Sequence, residues 1–474
     1  MKNECALRPL VEEVTYISPI DAFTPFAGFD GALLLDSAKA DGKQGRFAFI
    51  ALDPYRVITS KDGTTLVDGE RVIGEPFSIL KRFLKDEKLA TIEGLPPFQG
   101  GAAGLFGYDL AWNLEHLPTH QPDDMGFPDM SVGFYDLVMA FDLQDMRCWI
   151  ISTGLPAENE ETRLSLARAR LDDFKIKLQA APSNSNSNYA GVNLDWRYSD
   201  QRDEYMAKVA QVIDYIYAGD IFQANFTQRF DANLPKGFDV FSFYRHLQDV
   251  NPAPFSGFYK QGDMVIASSS PERFLKLDAG AVETRPIKGT RPRGDTPAQD
   301  KALAEELEKS AKDRSENVMI VDLLRNDLSK VCAPNTVDVP ELCNLESYAS
   351  VHHLVSSVVG QLKEGFDATD LLRAAFPGGS ITGAPKIRAM EIIAELESYR
   401  RGPYCGALGF IGFDGGMDSN ILIRTVCVKA DKVYFHAGGG IVADSDPADE
   451  YDESLVKAKR LFEAFAGHAV ARAS

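Results

Sequence analysis

Long apolar runs are missing from this sequence: no stretch of about 18 apolar residues occurs, so no membrane-spanning helix is expected. The opening residues MKNECALRPLVEEV also lack an apolar core of signal-peptide length. Cysteines are few and dispersed. None of Cys5, Cys148, Cys332, Cys343, Cys405 and Cys427 forms a CxxC pair, which argues against a zinc ribbon or redox dithiol and for reduced thiols in the cytoplasm. No GxxxxGK[ST] phosphate loop or strand-linked GxGxxG is present, so ATP- and NAD-dependent chemistry start without support. Bases are outnumbered, 50 Lys and Arg against 69 Asp and Glu, a net charge of −19. That balance disfavours nonspecific nucleic-acid or anionic-membrane binding. Between Lys88 and Arg147 there is no Lys or Arg but nine acids, and an exposed acidic surface is the expectation there.

What is present is ordinary in bulk, with 45% hydrophobic and 25% charged residues over 474 positions, enough for a large core and about two to four domains. The segment Ala180-Ala-Pro-Ser-Asn-Ser-Asn-Ser-Asn-Tyr189 reads as a linker or long loop. It divides the chain into an N-terminal region 1–179, a linker 180–193 and a second region 194–470. Residues 157–179 have amphipathic-helix character, whereas 32–35, 46–51 and 132–141 resemble antiparallel strands. After the linker, Ser199 and Asp200 are candidate caps for a helix running to about Tyr217. Further strands are expected over 221–230, 264–268, 404–413, 420–428 and 432–436. Helices are expected over 299–312, 315–325, 367–376, 385–398 and 449–466. The clustering without a steady βαβ beat indicates an α+β fold: large antiparallel sheets in a sandwich-like core, with helices packed outside.

Four segments carry chemistry. Arg285-Pro-Ile-Lys-Gly-Thr-Arg-Pro-Arg293 places Lys288 in a loop among arginines, readable as a solvated basic loop or as the seat of a nucleophilic lysine. Asp313/Glu316 and Glu450/Glu453 are acid pairs spaced by three, so each pair shares a helix face. Two such faces opposed would cage Mg²⁺, while the helix dipole alone also favours acids there. Pro377-Gly-Gly-Ser-Ile-Thr-Gly-Ala-Pro-Lys386 and His436-Ala-Gly-Gly-Gly-Ile-Val442 read as tight turns or as backbone sites for a carboxylate. Val351-His-His-Leu-Val-Ser356 puts two histidines on opposite faces, poor joint ligands, though one could orient a substrate. Taken together they suggest a Mg²⁺-assisted enzyme acting on a small polycarboxylate.

Residues 199–466 resemble, end to end, the catalytic domain of the chorismate-utilising enzymes. The strings that carry the likeness are Gly219-Asp-Ile-Phe-Gln223, Ser269-Ser-Pro-Glu272, Ser315-Glu-Asn317, Val321-Asp-Leu-Leu-Arg-Asn-Asp327, Gly379–Lys386 and Gly438-Gly-Gly-Ile-Val-Ala-Asp-Ser445. Leu34-Leu-Asp-Ser37 and Phe98–Tyr108 extend it into the first half, and the family's two halves interweave. Within the family, Pro286-Ile-Lys-Gly-Thr290 and Gln223-Ala-Asn-Phe-Thr-Gln-Arg-Phe230 are similar to the branch that aminates chorismate at C4, in 4-aminobenzoate and folate biosynthesis. The anthranilate-forming branch usually has Ala at the position of Lys288, and isochorismate-forming members have a lysine base at the position of Gln223. The resemblance implies a transferase in which Lys288 attacks C2 and ammonia then adds at C4.

By the same resemblance, Glu316 and Glu453 would ligate Mg²⁺ directly, with Asp313 and Glu450 acting through water. Ser380, Arg424, Lys457 and the Gly438, Gly439 and Gly440 backbone would hold the substrate carboxylates. Glu272 would be the acid or base at the departing oxygen, and His353 the histidine to carry over. Thr290, Lys386 and Gln223 would support the substrate. Arg285, Lys288, Arg291, Arg293, Lys386, Arg424 and Lys457 are expected to converge on one site. No Gly-x-Cys-x-Gly elbow is present, which implies a separate glutamine amidotransferase subunit supplying ammonia. Asp36 and Ser37, with Pro254, Phe255 and Ser256, are similar to the family's tryptophan-binding segments, although Asp36 stands where Glu is usual. The alternatives to amination are anthranilate formation and a non-catalytic, tryptophan-binding regulatory subunit.

Overall fold

Several strands in this chain are buried along their whole length: Gly101–Phe106, Met130–Tyr135 and Leu137–Asp142 have every residue buried. Such strands must be covered on both faces. The computed structural model, which describes residues 8–38, 44–118, 121–179, 189–348 and 351–467, covers them by stacking two 12-stranded antiparallel sheets. Leu33, Phe49, Leu105, Tyr135, Ile266, Leu408 and Phe410 fill the layer between the sheets. Helices cover the outer faces. Phe174, Phe243 and Phe465 pack on the first sheet, and Ile320, Leu324, Leu371 and Leu372 on the second. No helix among the described residues is long and apolar enough to cross a membrane. The α+β sandwich expected from the sequence is the observed fold.

Each sheet draws strands from both sides of the Ser-Asn segment. In the first, Ala32–Asp36 pairs with Phe255–Gln261; in the second, Gly101–Phe106 pairs with Ala407–Gly412. The two halves are therefore interwoven. Residues 180–188 lie outside the described residues, and beyond them Tyr189 and Val192 bond to the Phe465 carbonyl at 2.9 and 2.6 Å.

Two expected strands are each divided in two. The run 132–141 breaks at Asp136 into Met130–Tyr135 and Leu137–Asp142, and the run 420–428 breaks into Met417–Asn420 and Thr425–Lys429. In both cases the chain crosses from one sheet to the other at the break. A third crossing, at Pro271 and Glu272, separates Met264–Ser270 from Arg273–Asp278. Such crossings form the corners of stacked sheets. The helix expected after the linker is Arg202–Tyr217, but its cap is Gln201, whose N–H donates to Glu204 at 2.9 Å. Ser199 instead accepts from the Arg229 N–H, and Asp200 accepts from Lys208 and Ser398.

The base-free stretch is not the acidic surface the sequence suggests. Six of its nine acids pair with bases from elsewhere: Asp123 and Asp129 with Lys61, Asp124 with Arg229, Asp136 with Arg170, and Asp142 and Asp145 with Arg46. Asp109 is buried with neither carboxylate oxygen hydrogen-bonded, and burial pushes its pKa up to about 7. The folded state then holds a proton that the unfolded chain gives up near the ordinary carboxylate range. Stability should therefore fall as pH rises from about 4 to 7. Asp109→Asn is expected to remove about 2.5 kcal/mol of that pH dependence between pH 5 and pH 8, read from urea denaturation at the two values. An unchanged difference between the two pH values would contradict the assignment.

Candidate functional site

Two of the sheet crossings lie side by side. The Ile421 N–H donates to the Glu272 carbonyl at 3.0 Å, and the Ser269 N–H donates to the Arg424 carbonyl at 3.1 Å. Ser270 Oγ fixes the corner further by donating to the Ile421 carbonyl at 2.5 Å. Leaving the ladder lets Glu272 and Arg424 present side chains between the sheets' ends. Arg424 adopts a left-handed backbone (φ 50°), and its guanidinium makes no hydrogen bond or ion pair among the described residues. Burial lowers its pKa, with Glu272 opposing. A partly buried guanidinium without a counter-ion suits an anionic ligand.

Lys288 lies in a strand, Ile287–Pro292, and not in the loop its proline and glycine neighbours suggest. The strand pairs with Val351–Gln361 through a bulge: Lys288 is opposite Leu354 and Thr290 opposite His353. Gly289, at φ 79°, forms the bulge, and a Cβ there would lie 2.9 Å from Asp313, so the position needs glycine twice over. Lys288 Nζ donates to the Ser380 carbonyl at 3.1 Å. Ser380 Oγ donates to Glu272 Oε1 at 2.7 Å. One residue therefore joins the candidate nucleophile to the candidate acid. Burial pushes the Lys288 ammonium below the usual lysine range despite the carboxylates of Glu316 and Glu272. Burial pushes Glu272 up to about 7, against its bonds and contacts with Ser380, Lys288 and Arg424. Opposite shifts in adjoining groups bring both towards neutrality, where a proton can pass.

The acid pairs stand near the starts of two helices, Ala311–Ser329 and Pro447–Ala466. Burial raises Glu316, with Lys288 and Lys312 opposing, and raises Glu450, with the Ser445 hydroxyl at 2.7 Å opposing. Burial works to raise Glu453 too, but Lys457, Lys312 and Lys288 outweigh it and leave it low. Lys457 Nζ bridges Glu453 at 2.7 Å and the Gly438 carbonyl at 2.9 Å. The glycines leave room for the facing side chains: a Cβ on Gly439 would lie 2.9 Å from Glu450 Oε2 and 3.2 Å from Glu453 Oε1. One on Gly440 would lie 2.1 Å from Gln223 Nε2. Gln223 is buried and neither of its amide atoms has a partner, so it too offers unmet hydrogen bonds. Among the described residues, no three Asp, Glu, His or Cys side chains are gathered in a metal-holding group. The all-oxygen chemistry of Glu316, Glu450 and Glu453, with two of them raised by burial, and the cradle that a Cβ on Gly439 would fill nevertheless suit a hard divalent cation.

Not every expected base converges. Arg285 pairs with Glu341 and Glu346, Arg291 with Glu306 and Asp313, and Arg293 with Asp300. Lys386 donates to Asp327 at 2.6 Å and to the Ala375 and Pro377 carbonyls at 2.7 and 2.8 Å, so its three N–H groups hold the glycine-rich turn and not a ligand. Asp313 packs on Gly289 and faces Arg291. His353 Nδ1 is 2.8 Å from Thr290 Oγ1, beside the Lys288 strand. His352 uses both nitrogens, on Ser347 and Asp300. Lys312, which the sequence reading passed over, adds a third ammonium to the carboxylate group; its only signal was its place next to Asp313. The segments suggested for tryptophan also meet, with Asp36 opposite Ser256 across paired strands. Asp36 accepts from Gln248 at 2.9 Å, and the Ser37 hydroxyl is buried without a partner. The Phe255 ring lies under Arg273, with Pro254 beside it in the chain.

Residues 31–463 match the family described as chorismate binding enzyme, and the chain belongs to it. It is 42% identical over 447 residues to aminodeoxychorismate synthase component 1 of Klebsiella aerogenes, covering 93% of this chain and 94% of that protein. It is 40% identical over 451 residues to anthranilate synthase component 1 of Thermus thermophilus, covering 94% and 95%. Among solved structures it resembles anthranilate synthase component I from Streptococcus pneumoniae, with a TM-score of 0.81, 32% identity and coverage of 95% and 99%.

Proposed function

We propose that this chorismate-utilising enzyme replaces the C4 hydroxyl of chorismate with an amino group from ammonia, giving 4-amino-4-deoxychorismate. The observation that carries the reading is Lys288, an ammonium destabilised by burial and joined through Ser380 to a carboxyl poised near neutrality. Relatives at similar identity carry both aminodeoxychorismate and anthranilate synthase names, so overall identity does not choose between the reactions. Lys288, where the anthranilate-forming branch usually has Ala, favours the first.

In the proposed sequence the neutral Lys288 amine forms a bond to C2 as the C4–O bond breaks. Glu272 gives the departing hydroxyl its proton, so that water leaves, and the new C2 ammonium returns a proton to the Glu272 carboxylate. Ammonia then forms the C4–N bond as the C2–N bond breaks; Glu272 gives its proton to the departing Lys288 nitrogen, and the new C4 ammonium returns one to the Glu272 carboxylate. Arg424, Lys457 and the Gly438–Gly440 backbone orient the substrate carboxylates, and Gln223, which cannot deprotonate water, disfavours hydroxyl addition. Glu316, Glu450 and Glu453, with Asp313 behind them, would hold Mg²⁺, which when bound offsets carboxylate charge on the substrate. Ammonia would come from a glutamine amidotransferase subunit; the relatives' designation as component 1 supports a second component.

Incubation with chorismate, Mg²⁺ and ammonium, followed by chromatography, should show 4-amino-4-deoxychorismate; anthranilate as the product would overturn the reading. The Asp36, Ser37 and Pro254–Ser256 segments are proposed to bind tryptophan without taking part in the chemistry. The support is the unmet Ser37 hydroxyl beside the Asp36 carboxylate. Calorimetric titration of tryptophan-stripped protein should show one binding event per chain, and a flat titration counts against it.

A further inference from the structure

Ser380 sits in a single tight turn, Gly379–Ile381, and its two contacts require that turn to be held within a few tenths of an ångström. Lys386 fixes the chain before it, at Ala375 and Pro377. The turn is held at its own carbonyl by Arg401, 20 residues further on and 1% exposed, beside the backbone bond from the Asn225 N–H to the Thr382 carbonyl at 2.7 Å. Its Nη1 donates to the Ile381 carbonyl at 2.9 Å, one residue after Ser380. Its Nη2 donates to the Asn225 carbonyl at 2.6 Å, on the strand Gln223–Asn233 that pairs with the Gly438–Gly440 strand. Glu397 completes the fork, accepting from Arg401 Nε at 2.9 Å and Nη2 at 2.7 Å. Glu397 Oε1 also accepts from the Thr227 N–H and hydroxyl, at 2.9 and 2.8 Å, on that same strand.

We infer that the buried Arg401–Glu397 pair is the positioning device of the site. It ties the turn carrying Ser380 to the strand that backs the glycine run, and so sets the spacing between the Lys288–Glu272 couple and the anion-binding backbone. The inference rests on the reading of Lys288 and Glu272 as the reacting groups. The pair touches neither of them. A planar guanidinium is needed because its fixed N–H directions reach the Ile381 carbonyl, the Asn225 carbonyl and both Glu397 oxygens at once. An ammonium, with three donors around one nitrogen, cannot span those four acceptors.

The test compares the parent with Arg401→Lys and with the double variant Arg401→Met/Glu397→Leu. Removing both charges of a buried pair with similar volume is the change best tolerated by the fold. The first readout needs no substrate turnover: the pH dependence of Lys288 acetylation by acetic anhydride, followed by peptide mass spectrometry. In a folded variant the midpoint should move up by about one pH unit, as water reaches an ammonium no longer enclosed by the turn. The second readout is amination in ammonium, where kcat should drop about 30-fold or more with the chorismate KM changed less than about threefold. A variant that keeps the parent circular dichroism spectrum, Lys288 midpoint and kcat overturns the inference. Should the parent form no aminated product, the proposed function fails by itself, and the acetylation midpoint still decides whether the pair positions Lys288.

Discussion

Replacing Lys288 by alanine is expected to lower ammonia-dependent consumption of chorismate by at least about 10³-fold, because a covalent route loses its only nucleophile. Folding should be spared, since the change removes a buried ammonium held by a single hydrogen bond, and the neighbouring Glu272 keeps its bond from Ser380. Lys288→Arg separates nucleophile from charge. Arginine retains the cation near Glu316 and Glu272 but cannot lose its proton at any accessible pH. If Lys288 serves only as a cation for the substrate carboxylates, the arginine variant should recover most of the activity. If it attacks carbon, both variants should be equally inactive. Mass spectrometry adds a direct check: parent protein incubated with chorismate and no ammonia should carry an adduct on the Lys288 peptide, absent from both variants. Full turnover by Lys288→Ala would refute the nucleophile.

The sequence made the chemistry-bearing segments legible but not how they reach one another. Glu272, Ser380 and Lys288 stand in three strings that can each be recognised, yet the turn carbonyl and hydroxyl that join them are visible only in three dimensions. The sheet crossings were hidden for a related reason. Residues 132–141 and 420–428 are apolar on both faces, and a two-residue period does not show where such a run leaves one sheet for another. Only Asp136 and Arg424, polar residues inside apolar runs, marked the breaks. Charge misled in a different way. The stretch after Lys88 lacks bases in the sequence, but Lys61, Arg46, Arg170 and Arg229 arrive from distant strands and helices to pair with its acids. The cluster Arg285–Arg293 likewise looked like an anion site, although three of its cations are met by Glu341, Glu346, Glu306 and Asp300. Counting charges along the chain cannot separate a paired guanidinium from an unpaired one such as Arg424.

The pH dependence of turnover carries the second large effect. Lys288 must be neutral to attack, and its neutral fraction grows as pH rises. Glu272 must carry a proton for the departing hydroxyl, and that fraction shrinks as pH rises through about 7. The kcat profile should therefore be bell-shaped, since turnover needs a neutral Lys288 and a protonated Glu272 together. Glu272→Gln keeps the shape of the side chain but has no proton to give, and should lower kcat by about 10² to 10⁴-fold while abolishing one limb of the bell. Ser380→Ala tests the same assignment from the other side. The Ser380 hydroxyl stabilises the Glu272 carboxylate, so its loss should raise that pKa further and move one limb of the bell to higher pH. The Lys288 contact is made to the Ser380 main-chain carbonyl, which alanine retains, so the other limb should stay nearly in place. A profile with both limbs unmoved in Ser380→Ala would detach Glu272 from the pH dependence. A bell that persists in Glu272→Gln would assign that limb to another group.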